Sequence, residues 1–185
     1  GWPPVTGRLF LSPALPERTA AGFPDRLTGM TAAFTLKALV GLLPVLAFLG
    51  FLLYLDSYKL IPMRWTLGVI VLGFFAAILS YPINVAGLEL LQIDFGLFSR
   101  YVAPITEEGL KALIVIFLMR NNRIGFLVDS AILGFAVGAG FGLVENFYYL
   151  YRAPDAHIAV WIVRGFGTAI MHGGTMALFG VMAQI

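Results

Sequence analysis

The sequence has no cysteine and little charge. Only 12% of its 185 residues are Asp, Glu, Lys or Arg, while 59% are hydrophobic, and a soluble domain carries about 25% charged residues. Without thiols, disulfides and thiolate metal sites are excluded. The basic residues are scattered and the net charge is only +2, so we expect no nucleic-acid partner. The composition predicts an integral membrane protein that is surrounded by membrane lipids.

Hydrophobic residues form five runs of helical length. The runs cover 38–55, 65–88, 101–119, 124–151 and 158–185. About 20 apolar residues in a helix cross a hydrocarbon core of about 30 Å. The short alternating segments that are typical of membrane β-barrels do not occur in the sequence. We therefore predict an all-α, polytopic transmembrane helix bundle with at least five spanning helices.

The chain divides by composition near residue 30. Residues 1–30 are rich in proline and arginine, which predicts a surface loop or tail. Residues 31–185 hold all five runs and are predicted to form one helical membrane domain. Since the chain begins with Gly1 and its last residues, 181–185, still continue an apolar run, we expect that it is truncated.

Three ionisable residues lie together in the third run: Glu107, Glu108 and Lys111. Charged groups at membrane depth are costly and mark functional sites. The side chains of adjacent residues leave a helix about 100° apart, so the two glutamates point in different directions. Lys111 lies one turn further and can pair with either of them. We expect Lys111 to hold one glutamate, which leaves the other free to take a proton from water.

Two more polar residues are predicted at the same depth. Three arginines are taken to mark one membrane surface, each reaching outwards to it: Arg100, Arg152 and Arg164. Glu107 and Glu145 are then seven residues below that surface and His172 is eight, a depth of about 10–12 Å. This common depth predicts that the three side chains form one site. Asp129 lies towards the opposite face and is expected to cap or bridge helices.

Small residues surround Glu145 and His172. Gly134, Gly138 and Gly142 recur every four residues before Glu145, a spacing that lets a neighbouring helix approach closely. Glu145 is therefore predicted to face a tightly packed partner helix. Thr168 lies one turn before His172 and is expected to fix the tautomer of its imidazole.

These groups allow two kinds of hydrolytic chemistry. Glu145 and His172 could bind zinc and leave a coordination position open for water. Alternatively, a glutamate deprotonates water without a metal, while His172 and Asn146 stabilise the oxyanion. The residue types alone leave both alternatives open.

The order and spacing of these residues resemble the PrsW family of intramembrane proteases, which is related to the CAAX prenyl proteases and the Abi proteins. The resemblance runs from Tyr101 to Gly180. It is carried by Glu107-Glu108-x-x-Lys111, Asp129, Gly138-x-Gly140-Phe141-Gly142-x-x-Glu145-Asn146 and His172.

The resemblance implies a peptidase domain over residues 31–185 that cleaves transmembrane proteins or peptides within or beside the bilayer. It implies that Glu107, Glu108, Glu145 and His172 lie at the site. We predict that Glu107 or Glu108 activates water, that Lys111 orients the pair and that Asn146 stabilises developing negative charge. Glu145 and His172 are predicted to hold the water or a metal ion, with zinc as the candidate metal. We expect the protein in a bacterial or archaeal cell membrane. The alternative is a non-catalytic membrane scaffold that binds transmembrane helices through the same polar residues.

Overall fold

The described part of the chain is helical. The structure is a computed structural model that describes residues 23–55, 62–121, 125–153 and 155–185, and these ranges contain no strand. Seven α-helices follow in chain order: α1 Phe23–Leu55, α2 Met63–Leu91, α3 Phe95–Leu97, α4 Ala103–Arg120, α5 Leu127–Arg152, α6 Ile158–Thr168 and α7 Thr175–Gln184. Two π-helical segments, Phe98–Val102 and Ala169–Gly174, join α3 to α4 and α6 to α7. The prediction of an all-α bundle is confirmed.

Four helices of the described residues are long and apolar enough to span a membrane. They are Ala32–Tyr54 within α1, Met63–Leu91, Leu127–Arg152 and Ile158–Gln184, the last running through α6, the π-helical segment and α7. The prediction of at least five was one too many. The 18 residues of α4 extend about 27 Å, but this helix carries four charged side chains. Its charges, and not its length, separate α4 from the other helices.

The predicted division at residue 30 is only partly covered by the structure. Residues 1–22 lie outside the described residues. Helix α1 begins at Phe23, within the stretch that was predicted as a surface loop or tail. The two-part division of the chain stays a prediction.

Helix α5 is the centre of the bundle. Its residues 132–142 are all buried, because glycines let other backbones approach on two sides. A Cβ atom on Gly138 would lie 2.0 Å from the carbonyl oxygen of His172, and one on Gly134 would lie 2.3 Å from that of Met176. A Cβ atom on Gly140 would lie 2.1 Å from the carbonyl oxygen of Ile70 in α2. The close packing predicted from the glycine spacing is confirmed.

Helix α4 completes the arrangement around α5. It contacts α2, α5 and α7, so its polar residues meet side chains from three other helices. Its buried face carries Lys111, Val115 and Leu118, while Ile105, at 75% exposure, faces outwards. The packing of α4 thus directs the side chain of Lys111 into the core. A buried ammonium group requires polar partners there.

Candidate active site

Lys111 is a deeply buried member of a polar cluster in the bundle. Its side chain is completely buried at 0% exposure. The ammonium group donates to Oε1 of Glu108 and lies 4.1 Å from the centroid of the Phe141 ring. Of the two glutamates that Lys111 could have held, it holds Glu108. An ion pair and a cation–π contact together compensate for burying the charge.

His172 connects α4 to α5. Its Nδ1 atom lies 2.6 Å from Nζ of Lys111, and its Nε2 atom lies 2.8 Å from Oε2 of Glu145. An ammonium group can only donate, so Nδ1 is the acceptor and Nε2 carries the proton that is donated to Glu145. We assign this tautomer from the partners. Oε1 of Glu108 also lies 3.2 Å from Nδ1.

The backbone around His172 is irregular. The residue lies in the π-helical segment Ala169–Gly174 between α6 and α7, and single π turns within helices are frequent at functional sites. Its carbonyl group packs directly against Gly138 of α5. The imidazole ring lies 5.1 Å from the Phe141 ring. Gly138 thus contacts the backbone of His172, and Phe141 contacts its ring. Together they position the histidine.

Arg164 belongs to the cluster, although the sequence suggested that it reaches the membrane surface. Its Nη2 atom lies 3.3 Å from Oε1 of Glu145, and its guanidinium carbon lies 3.8 Å from the Tyr149 ring centroid. The sequence interpretation used Arg164 only as a surface marker, and its contact with the partly buried carboxylate of Glu145 was not expected. Its position six residues after Ile158, inside α6, was the signal in the sequence.

Asn84 of α2 was also missed. Its Nδ2 atom donates to Oε1 of Glu107 at 3.3 Å. From the sequence, Asn84 was expected only to kink its helix together with Pro82. Its contact joins α2 to α4, and the spacing within either helix does not predict a contact between them.

Asn146 connects three helices. Its Nδ2 atom donates to the carbonyl oxygen of Gly41 in α1 at 2.9 Å, and its Oδ1 atom accepts from Thr168 at 3.1 Å. Thr168 therefore does not fix the tautomer of His172 as expected, since its hydroxyl proton goes to Asn146. The predicted role of Asn146 in stabilising an oxyanion stays a prediction.

Asp129 lies away from the cluster, at the start of α5. Its Oδ2 atom accepts from the backbone N–H groups of Gly125 at 3.3 Å and Phe126 at 3.1 Å. These bonds satisfy N–H groups immediately before the first turn of α5, as the acidic residue at the third helical position does in a capping box. The expectation that Asp129 caps or bridges helices is confirmed as capping.

The cluster as arranged does not fit a metal ion. Among the described residues, no three His, Asp or Glu side chains are grouped so that they could hold one. The two nitrogen atoms of His172 are engaged by Lys111 and Glu145, so neither offers a free lone pair. A metal would first have to displace one of these partners. Zinc ligation by Glu145 and His172 stays a prediction.

Comparison with known proteins identifies the family. Residues 61–185 match the family model described as PrsW family intramembrane metalloprotease, and this range holds all of α2 to α7 and every member of the cluster. Neither a curated protein nor a solved structure matches the chain significantly. The family description implies membrane-protein substrates and a metal ion. Since the match covers more than half of the sequence, this integral membrane protein belongs to the PrsW family of intramembrane proteases.

Proposed function

We propose that this protease is an endopeptidase in which Glu107 activates the water that attacks the scissile peptide bond. The observation that carries the proposal is the hydrogen-bonded cluster itself. The His172 ring contacts Lys111 through one nitrogen and Glu145 through the other, while Glu107 is held beside it by an uncharged amide. Family membership supports proteolysis in general, and the contacts of each carboxylate support the assignment of roles.

The three glutamates differ in their partners. Glu108 accepts from Lys111, and Glu145 accepts from His172 and pairs with Arg164. The Glu107 carboxylate has one hydrogen-bond partner in the described part of the chain, the neutral amide of Asn84. A general base needs a lone pair within reach of the proton that it removes. Oε2 of Glu108 also has no hydrogen-bond partner among the described residues, but the other oxygen of Glu108 is paired with Lys111. We assign the base to Glu107 because no described ion pair holds its carboxylate.

In the proposed reaction, the water oxygen bonds to the carbonyl carbon while Glu107 takes one water proton. The carbon–nitrogen bond then breaks, and Glu107 returns the proton to the leaving nitrogen, as general acid–base catalysis requires. Glu145 accepts a hydrogen bond from the water, and His172, which donates to Glu145, positions that carboxylate. The partly exposed guanidinium of Arg164 stabilises the negative charge that develops on the carbonyl oxygen, while the buried Lys111 keeps Glu108 and His172 in place.

A cleavage assay tests the role of Glu107. Proteoliposomes receive a panel of fluorogenic peptides, each with one membrane-spanning segment of about 20 apolar residues. Glu107→Gln should reduce cleavage about 100-fold or more while the detergent-solubilised protein keeps its melting temperature. The matched control is Glu89→Gln, at an exposed glutamate in the last turns of α2, which should cleave like the wild type.

Two results would overturn this assignment. Persistent cleavage by Glu107→Gln, together with loss in Glu108→Gln, would transfer the role of the base to Glu108. Peptide binding without cleavage by the folded wild type would favour the scaffold alternative.

The metal question has its own measurement. Because the residues as arranged do not fit a metal ion, we expect cleavage to persist after dialysis against a chelator. Metal content is measured by mass spectrometry in the wild type and in His172→Ala. Two results together would contradict the proposal: activity is lost on chelation and restored by zinc, and zinc is bound by the wild type but not by His172→Ala. They would make His172 a metal ligand.

A further inference from the structure

Asn84 is an amide within an apolar membrane helix. It lies in the interior of α2, two residues after Pro82, and α2 contacts both α4 and α5. Its Nδ2 atom donates to Glu107. A polar side chain inside a membrane-spanning helix usually contacts another polar group or serves a function. The contact with Glu107 accounts for one end of the amide.

The other end of the amide has no partner. The Asn84 Oδ1 atom is buried and accepts no hydrogen bond from the described part of the chain. The amide cannot simply be reversed, because its oxygen would then face an oxygen of Glu107, and two acceptors do not bond. Most buried carbonyl groups in proteins are hydrogen-bonded, so a free one requires an explanation. Since Oδ1 and Nδ2 share one carbon atom, this free acceptor lies directly beside the proposed base.

We propose that Asn84 binds the backbone of the substrate: its Nδ2 atom holds Glu107, and its Oδ1 atom accepts a peptide N–H next to the scissile bond. The proposal rests on the proposed function of the cluster. A peptide N–H that leaves its helix inside the bilayer finds no water to bond. An acceptor beside the base supplies the missing partner and aligns the peptide bond with the water that Glu107 activates.

This role differs measurably from merely holding Glu107. Removal of an amide that only positions Glu107 lowers kcat and leaves KM unchanged. Removal of an amide that also binds the substrate backbone raises KM. The bond can also be removed from the substrate side, by replacing one amide of the peptide with an ester, which has no N–H.

The experiment combines both changes. The probes are the single-span fluorogenic peptides and their esters, scanned one position at a time around the cleaved bond. The readout is KM for peptides that are cleaved, and equilibrium Kd from fluorescence anisotropy for peptides that bind without cleavage. In the wild type, one ester position should raise KM or Kd roughly fivefold to tenfold. In Asn84→Leu, which keeps the approximate size of the side chain, that ester should have no further effect.

Two more variants provide the controls. Asn84→Ala removes both ends of the amide with a smaller side chain. It should lose the ester effect as Asn84→Leu does, and it replaces Asn84→Leu as the test if the latter does not fold. Thr66→Val removes a buried hydroxyl without a described hydrogen-bond partner from the same helix and should resemble the wild type.

The outcomes separate the two proposals. An ester effect in Asn84→Leu or Asn84→Ala that equals that of the wild type would overturn the role of Asn84 while leaving the protease intact. Binding with the expected ester pattern but without cleavage would overturn the peptidase mechanism and retain Asn84 as a peptide-binding residue. If no peptide binds, both proposals fail.

Discussion

The two halves of α5 each carry an acidic residue, Asp129 buried and Glu145 partly buried, and the two residues are satisfied in different ways. Asp129 accepts from the backbone of Gly125 and Phe126, which lie at most four residues before it. Glu145 accepts from the side chains of His172 and Arg164, which come from a distant part of the chain. The acid with local partners completes its own helix. Glu145, whose partners are distant in the sequence, depends on the assembled bundle. Only such a residue brings side chains from several helices together in one site.

Two glycines near these acidic residues differ in the space around them. Gly138 lies against the carbonyl group of His172, where no side chain fits. Gly125, four residues before Asp129, would place a Cβ atom at an ordinary 3.6 Å from the carboxylate of Asp129. Backbones also approach closely near the capped end, where a Cβ atom on Gly180 would lie 2.7 Å from the carbonyl oxygen of Ser130, but that approach positions no member of the cluster. Mutations around the two acidic residues should therefore have different consequences.

The largest difference is expected for His172. Replacement with alanine removes the ring that joins Lys111 to Glu145, and we expect cleavage to fall about 100-fold or more in a protein that still folds. His157→Ala is the control, because that imidazole accepts only from Ala159 at the start of α6, at 3.2 Å, among its described contacts. Initial rates in proteoliposomes and melting in detergent measure both. An active His172→Ala would remove the histidine from the mechanism.

Lys111 should affect stability most. Lys111→Met retains the apolar stem but leaves Glu108 without its cation, and breaking a buried pair typically costs about 3–5 kcal/mol. The double variant Glu108→Gln/Lys111→Met removes both charges and should be more stable than the single variant. Unfolding free energies in mixed micelles measure this difference. If the double variant is the less stable of the two, the pair is not the source of the effect.

The sequence predicts best what composition and short spacing determine. Apolar runs specified the helices, and the spacing of Glu107, Glu108 and Lys111 limited the partner of the lysine to two carboxylates. It did not choose between them, because both lie one turn from Lys111 on the helix. The contacts of Asn84 and Arg164 were missed because each residue meets a partner on another helix, and hydrophobicity was the only property used to predict α2 and α6. The span count was too high because α4 was judged by its length although it carries four charges.

Gly138 provides an intermediate effect. A Cβ atom there would meet the His172 carbonyl oxygen at 2.0 Å, so Gly138→Ala must push α5 away from the π-helical segment. Overpacking of this kind costs about 1–3 kcal/mol, and the shifted histidine should also slow cleavage. Gly174→Ala is the matched control in the same segment, since nothing lies within 4 Å of its added Cβ. Equal stability and activity in the two variants would contradict the packing argument.

The smallest effect is expected at Asp129, where the loss should be one of stability alone. Asp129→Ala removes a capping carboxylate, which typically costs about 1 kcal/mol, while cleavage per folded molecule stays unchanged. Asp94→Ala is the control: this exposed residue caps α3 through Gly96 and Leu97, where water can replace it, so the loss should be smaller. Unfolding free energies and cleavage rates measured on the same samples test both variants. A stable but inactive Asp129→Ala would contradict a role in capping alone. The second carboxylate oxygen, Oδ1, which is buried without a partner in the described residues, would then have a function in cleavage.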